Sequence, residues 1–455
     1  MNLAIMLNLL STRGQLRKHE QWTRPQLEAY QAESLRRLRA YAYAHSPFYQ
    51  QFHKGLADRP LHELPILTKA MMMEHFDEFV TDRTIHRADV EAHVQRIQDD
   101  ERFLGRYWVN TTSGSTGRPG LFLFDRAEWT AILASFARAH ELAGLKISLT
   151  HRMKMAFIAS TGPTHMSARA GATLKSWWTP TLRLAASEPV AAIVQRLNDW
   201  HPEILVSYAS MTRILADEQL AGRLRIHPRV VFTSSEVLTD ETRRRIAAAW
   251  GQLPFNQYAA TETGGMAAES IQHTGMHLFE DLVIAEVVDQ HNQPVPPGVY
   301  GDKLLVTTLF SRTQPLIRYE LSDRLRLAAD PCPSGSLFAL IDSVEGRTED
   351  VLQLPAATGG TTTVHPLVFH RVMDTAPASG WQIVQADDGL TVLLSRVRDG
   401  FADATLADAL RQALAAQGAI VPPITVRRVL AIPQTAAGKA PLIKAKPAQM
   451  LEQSI

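Results

Sequence analysis

Short apolar runs alternate with amphipathic segments through the middle of the chain, and this alternation is the strongest constraint on the fold. Residues 155–160, 204–208 and 230–234 read MAFIAS, ILVSY and VVFTS. Such unbroken apolar runs are typical of strands that are buried on both faces. Segments 189–200 and 240–250 have the apolar spacing of amphipathic helices. Buried strands separated by helices predict an α/β sheet with helices on its faces.

A different pattern begins after about residue 265. Strand-like segments separated by polar turns occupy residues 277–289, 303–309, 317–327 and 337–341, which predicts a barrel-like lobe. Beyond residue 346, strand-like segments flank one helical segment at 404–417. A chain of 455 residues exceeds the roughly 250–300 residues of one core. We therefore predict a large N-terminal α/β domain with a barrel-like lobe at 1–345 and a small α+β domain at 346–455.

Composition excludes several classes of protein. Lys and Arg number 47 against 46 Asp and Glu, so the net charge gives no reason to expect a nucleic-acid partner. Cys332 is the single cysteine and excludes an intramolecular disulfide and a cysteine-rich metal site. The first ten residues, MNLAIMLNLL, lack a basic leader and are shorter than the roughly 20 residues that span a bilayer. We expect a packed N-terminal helix, no membrane partner and a cytoplasmic protein.

Six short motifs follow one another along most of the chain. They are TTSGSTGRPG at 111–120, SSEVL at 234–238, NQYAATE at 256–262, PLIRYELSD at 315–323, GRTED at 346–350 and PQTAAGK at 433–439. The first collects small and hydroxyl residues whose N–H and O–H groups can converge on an anion, but it lacks the lysine of a Walker loop. Each motif is weak alone, whereas the ordered set is specific.

The ordered motifs resemble those of the adenylate-forming superfamily, which includes acyl-CoA synthetases, peptide-synthetase adenylation domains and luciferases. Residues 46–49 (SPFY), 64–69 (LPILTK) and 277–289 resemble the phenylacetate–CoA ligase branch in particular. The resemblance implies an ATP-dependent, AMP-forming ligase. It would activate a small carboxylic acid, with an aromatic acid favoured, as acyl-AMP and then transfer the acyl group to a thiol. It also implies that the small C-terminal domain is mobile.

The resemblance further implies ATP and Mg²⁺ as cofactors, with residues to hold them. The phosphate loop would contribute Ser113, Gly114, Ser115, Thr116 and Gly117. Further nucleotide contacts would come from Ser235, Glu236, Tyr258, Asp323 and Arg347. In this assignment Tyr258 presents a flat face to adenine, and Asp323 accepts hydrogen bonds from the ribose with help from Arg347.

The catalytic roles follow from the same resemblance. Thr261 would contact the α-phosphate, Glu262 would bind Mg²⁺, and Lys439 would bridge the carboxylate and the α-phosphate. We expect Lys439 on an exposed loop near the chain end. The rival lysines at that end, Lys444 and Lys446, lack the preceding glycine.

Other residues have simpler alternative roles. Asp350 would be the hinge pivot, and the alternative is an ordinary surface carboxylate. His165 would line the acyl pocket, although a packed histidine without a catalytic role fits its sequence context equally well. Ala259 replaces the family's usual glycine and would tighten the pocket floor. The pair Trp177-Trp178 is interpreted as packing.

Several questions of function stay open at this point. The segment after the hinge, LPAATGGTTTVHP at 354–366, lacks the Lys/Arg-Gly pair of CoA-using relatives, so the acceptor is CoA, a carrier-protein thiol or an amine. Activation of another small oxyanion is a variant. A nucleotide-sensing pseudoenzyme is the non-enzymatic alternative, and the intact residues at the catalytic positions argue against it. A homodimer is left open.

Overall fold

The computed structural model describes residues 3–98, 100–112, 119–145, 152–174, 179–347, 350–373, 375–386, 388–398, 400–435 and 438–445. Its helices are α1 Leu3–His19, α2 Arg24–His45, α3 Pro47–Phe52, α4 Lys69–Glu74, α5 Phe76–Phe79, α6 Arg87–Arg96, α7 Arg126–Leu142, α8 Met166–Leu174, α9 Val190–Trp200, α10 Ala209–Leu220, α11 Asp240–Trp250, α12 Pro366–Met373 and α13 Asp403–Ala415. In the described part of the chain, none of these helices is long and apolar enough to cross a membrane.

The strands are β1 Trp108–Thr111, β2 Leu121–Phe124, β3 Met155–Ala159, β4 Thr181–Ala185, β5 Ile204–Tyr208, β6 Val230–Ser234, β7 Phe255–Ala260, β8 Gly264–Glu269, β9 Met276–Leu278, β10 Val283–Val288, β11 Lys303–Thr308, β12 Tyr319–Leu321, β13 Asp323–Leu327, β14 Leu340–Arg347, β15 Leu352–Pro355, β16 Thr361–Val364, β17 Ala378–Ala386, β18 Gly389–Val397, β19 Ile424–Val429 and β20 Ile443–Lys444. We call the elements from α1 to β14 the large unit and those from β15 to β20 the small unit.

A nine-stranded sheet organises the large unit, in the order β13-β14-β9-β8-β7-β6-β5-β3-β4. The strands β4, β3, β5, β6 and β7 run parallel. The strands from β7 to β13 are antiparallel. Helices α9, α10 and α11 follow β4, β5 and β6, so the predicted α/β sheet is confirmed. The apolar runs predict β3, β5 and β6 to within a residue because each of these strands is buried along most of its length.

The predicted strands at 277–289 and 317–327 are each divided between two sheets. Strands β9 and β13 belong to the nine-stranded sheet, whereas β10 and β12 form a three-stranded antiparallel sheet with β11. The turn between β9 and β10 contains Asp281, whose carboxylate accepts two hydrogen bonds of 2.7 Å from the guanidinium of Arg138 on α7. This buried pair lies between the two strands, and a three-stranded sheet of order β10-β11-β12 stands where the barrel-like lobe is predicted.

The N-terminus of α7 fixes the loop that leads into β12. Asp125 and Glu128 form a capping box. The Glu128 carboxylate also accepts the backbone N–H of Thr313 at 2.7 Å and its hydroxyl at 2.7 Å. Burial, together with the nearby charge of Asp125, raises the pKa of Glu128 to about 7. The buried carboxyl therefore joins the helix to residues just before Tyr319.

The small unit has its own core beneath a four-stranded sheet of order β19-β18-β17-β20. Trp381, Leu410 and Phe369 are among its buried residues. The segment after the predicted hinge forms an antiparallel hairpin of β15 and β16, in which Pro355 is opposite Thr361. The sequence does not predict this hairpin, because a local pattern does not show which segment pairs with the polar run Thr361–Thr363.

Candidate active site

The carboxyl ends of the parallel strands bring several predicted residues to one edge of the sheet. Tyr208 ends β5, Ser234 ends β6 and Ala260 ends β7. In open α/β sheets this edge forms the crevice in which ligands bind. The order of strands therefore places the residues 234–236 beside the turn that follows β7.

The turn between β7 and β8 carries Thr261 and Glu262. Gly264 ends this turn at φ +72°, and a side chain there would lie 2.8 Å from Ile132, so the tight turn requires glycine. Glu262 is buried and hydrogen-bonds with Tyr319. Burial raises the pKa of Glu262, while the positive charges of Arg347 and Lys69 oppose that rise. The carboxylate is thus held in a protected position with two cations nearby.

Tyr258, Asp323 and Arg347 form a chain at the predicted nucleotide site. The Tyr258 hydroxyl donates to Asp323 Oδ2 at 3.0 Å, and Arg347 Nε lies 3.5 Å from Asp323 Oδ1. Burial and the negative charge of Asp323 raise the pKa of Tyr258 well above its usual value. The backbone N–H of Arg347 donates to Asp350 Oδ2 at 3.2 Å. Asp323 therefore contacts both Tyr258 and Arg347. The predicted hinge residue, Asp350, accepts a hydrogen bond from Arg347.

Lys439 reaches this site from the small unit on a tight turn. The N–H of Thr435 donates to the Lys439 carbonyl at 2.8 Å, and the N–H of Gly438 donates to the Thr435 carbonyl at 2.8 Å. Gly438 has φ +78°, and a Cβ there would lie 2.9 Å from Cβ of Ala186 and 3.0 Å from the Ser187 nitrogen. Only glycine has both the freedom to adopt this positive φ and no Cβ to collide with Ala186 and Ser187. This explains the Gly-Lys pair in the sequence.

The Lys439 ammonium lies against the large unit. It is 5.7 Å from the ring centroid of Tyr208. Burial and the charge of Arg347 lower the pKa of Lys439, while Glu236, Asp323 and Glu262 act in the opposite direction. The side chain is half-buried, so the expectation of a freely exposed loop is wrong, because the turn packs on Ala186. A cation in the field of these carboxylates is placed to act on an anionic substrate.

Glu236 connects the two units directly. Its Oε1 accepts the backbone N–H of Ala440 at 3.0 Å, and its Oε2 accepts that of Ser210 at 2.8 Å. Burial raises the pKa of Glu236. The preceding Ser235 is exposed and has φ +66°, the left-handed conformation that glycine adopts at least cost. Ser235 therefore adopts a conformation that favours glycine.

The other predicted residues have mixed outcomes. His165 is half-buried, and burial and the charge of Lys439 lower its pKa, which places it near the lysine. Ala259 lies in β7 beside a register shift. Lys444 lies on β20, opposite Val384. The predicted phosphate-loop residues Ser113, Gly114, Ser115, Thr116 and Gly117 lie outside the described residues, as do Lys446 and the Trp177-Trp178 pair. The roles assigned to all these residues stay predictions.

Two contributors to the site have no role in the sequence prediction. Lys69 begins α4, and its Cδ lies 3.3 Å from where a Cβ of Gly120 would be, so it adjoins the end of the phosphate-loop motif. Tyr208 provides the ring beneath Lys439 and accepts the N–H of Ser160 at 2.9 Å. Lys69 is the last residue of the LPILTK segment and Tyr208 the last of a buried strand. These two positions are the only features of the sequence that point to a role for Lys69 and Tyr208 in the site.

The site fits Mg²⁺ by the chemistry of its donors. Among the described residues, no cluster of three or more His, Cys, Asp or Glu is arranged to hold a metal. Mg²⁺, however, commonly binds to one or two carboxylates together with substrate phosphates and water. Glu262 supplies one such buried carboxylate beside the predicted nucleotide site.

Known proteins with similar sequence and structure identify the family. The model of the AMP-binding enzyme family matches residues 69–307. A phenylacetate-coenzyme A ligase of Thermus thermophilus is 25% identical over 348 residues, which cover 72% of each chain. A crystal structure of 2-hydroxyisobutyryl-CoA ligase in the postadenylation state has a TM-score of 0.70 at 20% identity, covering 94% of this chain and 91% of the other. The same ligase in the thioesterification state has a TM-score of 0.58, covering 94% and 92%. This chain belongs to the AMP-binding enzyme family of adenylate-forming enzymes and is similar to its phenylacetate–CoA ligases.

Proposed function

We propose that the protein is an acid–thiol ligase that activates a small carboxylic acid with ATP and transfers the acyl group to CoA. The observation that carries this proposal is the position of Lys439. Lys439 of the small unit lies 5.7 Å from the Tyr208 ring of the large unit and directly precedes Ala440, whose N–H donates to Glu236, in a chain that belongs to an adenylate-forming family. A nucleotide-sensing protein would have no need for a cation at the reacting carboxylate.

In the first half-reaction the acid's carboxylate attacks the α-phosphorus of ATP, forming acyl-AMP and releasing pyrophosphate. Two anions must approach, so positive charge at that point lowers the barrier. Lys439 supplies this charge, and Thr261 orients the α-phosphate. The next residue, Glu262, would bind Mg²⁺. When bound, Mg²⁺ neutralises phosphate charge. Asp323, which is already hydrogen-bonded to Tyr258, holds the ribose.

In the second half-reaction the thiolate of CoA attacks the acyl carbon, and AMP leaves with the electron pair of the mixed anhydride. We propose that residues 346–455 form a mobile domain that turns about Asp350 between the two half-reactions. The β15–β16 hairpin would then face the acceptor. Its backbone is attached to the end of α13, since Ile420 donates to the Pro355 carbonyl at 2.7 Å and Ala357 to the Gly418 carbonyl at 2.9 Å.

The substrate, the pocket residues, the oligomeric state and the cellular location are further proposals. An aromatic acid is our preferred substrate, since the relatives include ligases named for phenylacetate. His165 and Ala259 are the proposed pocket residues. The homodimer and the cytoplasmic location stay predictions.

The proposed function is tested by exchange of radioactive pyrophosphate into ATP with a panel of acids that includes phenylacetate, benzoate and 2-hydroxyisobutyrate. At least one acid should drive exchange without CoA. Preformed acyl-AMP should then convert to acyl-CoA in a single turnover. Absence of exchange with every acid would contradict the function, whereas exchange followed by discharge only onto an amine or a carrier thiol would keep the first half-reaction and change the acceptor.

A further inference from the structure

Helix α10 of the large unit is linked to the small unit at three points along its length, through Ser210, Arg213 and Glu218. At the start of the helix, Ser210 donates its N–H to one oxygen of Glu236, and the other oxygen accepts the N–H of Ala440. Ala440 directly follows Lys439. The start of α10 is therefore connected to the proposed catalytic lysine through a single carboxylate.

The middle of α10 contacts the sheet of the small unit. Arg213 donates to the carbonyl of Ala378, the first residue of β17, and Arg245 of α11 approaches the same oxygen at 3.4 Å. Further along the helix, the carboxylate of Glu218 pairs with Arg396 of β18. Arg213 and Glu218 are both 5% exposed, so the large-unit side of each contact is buried, whereas the Arg396 side chain is 38% exposed.

A cavity of about 340 Å³ lies beside these contacts, and Ser210, Arg213 and Arg396 are among the residues that line it. Met211 and Ile214 of α10 line one side, and Trp381 and Leu442 of the small unit line the other. The units therefore meet along α10 through polar contacts, with open space beside them. Such a joint can separate without exposing a large continuous apolar core.

We infer that Arg213 and Glu218 are positioning residues that hold the small unit in the orientation in which Lys439 reaches the active site. This inference rests on the proposed two-step function. The overall similarity is also higher to the postadenylation structure than to the thioesterification structure, with TM-scores of 0.70 and 0.58. If the small unit turns for transfer, the Glu218–Arg396 pair and the Arg213–Ala378 contact separate.

Contacts made in only one of two orientations shift the population towards that orientation. Loss of the Glu218–Arg396 pair should therefore slow formation of acyl-AMP without slowing the thiol-transfer step. The Arg396 side chain is 38% exposed, so we expect a modest effect. A roughly three- to tenfold lower adenylation rate corresponds to one partly screened ion pair.

The test variant is Arg396→Gln, and the matched control is Arg223→Gln. Arg223 pairs with the other oxygen of Glu218 at 2.5 Å but belongs to the large unit. We expect Arg396→Gln to lower the pyrophosphate-exchange rate and leave the single-turnover rate of acyl-AMP with CoA unchanged or faster. Arg223→Gln should change neither rate. Glu218→Gln combined with Arg396→Gln should lose no more than Arg396→Gln alone, because both remove the same contact.

Hydrogen exchange provides a readout that does not depend on activity. The peptide that contains Ala440 should exchange faster in Arg396→Gln than in the wild type and in Arg223→Gln. Three results would refute the positioning role. They are equal hydrogen exchange in all three proteins, an equal loss of rate in both half-reactions, and an equal loss of rate in Arg396→Gln and Arg223→Gln. If the wild type activates no acid, the proposed function fails, while the exchange comparison still decides whether Arg396 holds the small unit.

Discussion

Replacing Lys439 by methionine removes its charge and keeps an unbranched apolar stem that can pack against Tyr208. A unit charge about 4 Å from an anion is worth roughly 4 kcal/mol at an effective dielectric constant of about 20. The ammonium is half-buried, so solvent screens part of this energy. We therefore expect acyl-AMP formation to fall roughly 10²–10³-fold, which is the scale of losing one preorganised electrostatic donor.

Pyrophosphate exchange measures this loss, and Lys444→Met is the matched control. Lys444 lies on β20 of the same unit and should retain wild-type exchange, with both variants keeping the wild-type circular dichroism spectrum. Because the pKa of Lys439 is lowered, the wild-type rate should fall on the alkaline side below pH 10.5, as the ammonium loses its proton. Near-wild-type exchange in Lys439→Met would remove this lysine from the mechanism.

Three further predictions test the geometry around this site. Gly438→Ala should lower pyrophosphate exchange by about 10²-fold with little change in Tm, since a Cβ at this position pushes the lysine turn from Ala186. EDTA should abolish exchange and Mg²⁺ restore it without a shift in Tm, whereas stoichiometric zinc that survives chelation would contradict the role of Glu262. Glu128 has a folded pKa of about 7 against 4.5, so the stability it contributes is fully present below pH 4.5 and is lost as the pH rises through about 7. The unfolding free energy of Glu128→Gln relative to wild type should therefore rise by roughly 3 kcal/mol between pH 4.5 and 7, and a flat difference in chemical denaturation would refute it.

The sequence predicts the parallel half of the large sheet closely because those strands carry their burial in a local pattern. Strands β5 and β6 each begin with three apolar residues in succession, and the helices after β4 and β6 have a clear apolar stripe. The antiparallel half is predicted less well. Segment 277–289 is apolar enough to indicate one strand, and the pair between Asp281 and Arg138 that divides it joins residues far apart in the sequence.

A similar limit applies to the candidate site. Tyr258, Asp323 and Arg347 belong to three separate motifs, and their mutual contacts agree with the shared nucleotide site that the resemblance implies. The position of Lys69 near Glu262 is different, because it depends on how α4 packs against Gly120, just before β2, which no local pattern encodes. A residue type and a short motif can indicate a role, but the direction of a side chain is set by tertiary contacts.

Gly438 indicates the position of the proposed catalytic lysine better than Lys439 itself does. A lysine near a chain end is ordinarily a solvated surface charge, and nothing in its own chemistry distinguishes Lys439 from Lys444. Gly438, by contrast, is required by a positive φ and by the large unit, whose Ser187 nitrogen would lie 3.0 Å from a Cβ at this position. Because a glycine that is needed for close approach marks a contact between two surfaces, it locates the lysine at the junction of the two units. The substitution Gly438→Ala therefore tests the position of the charge, while Lys439→Met tests the charge itself.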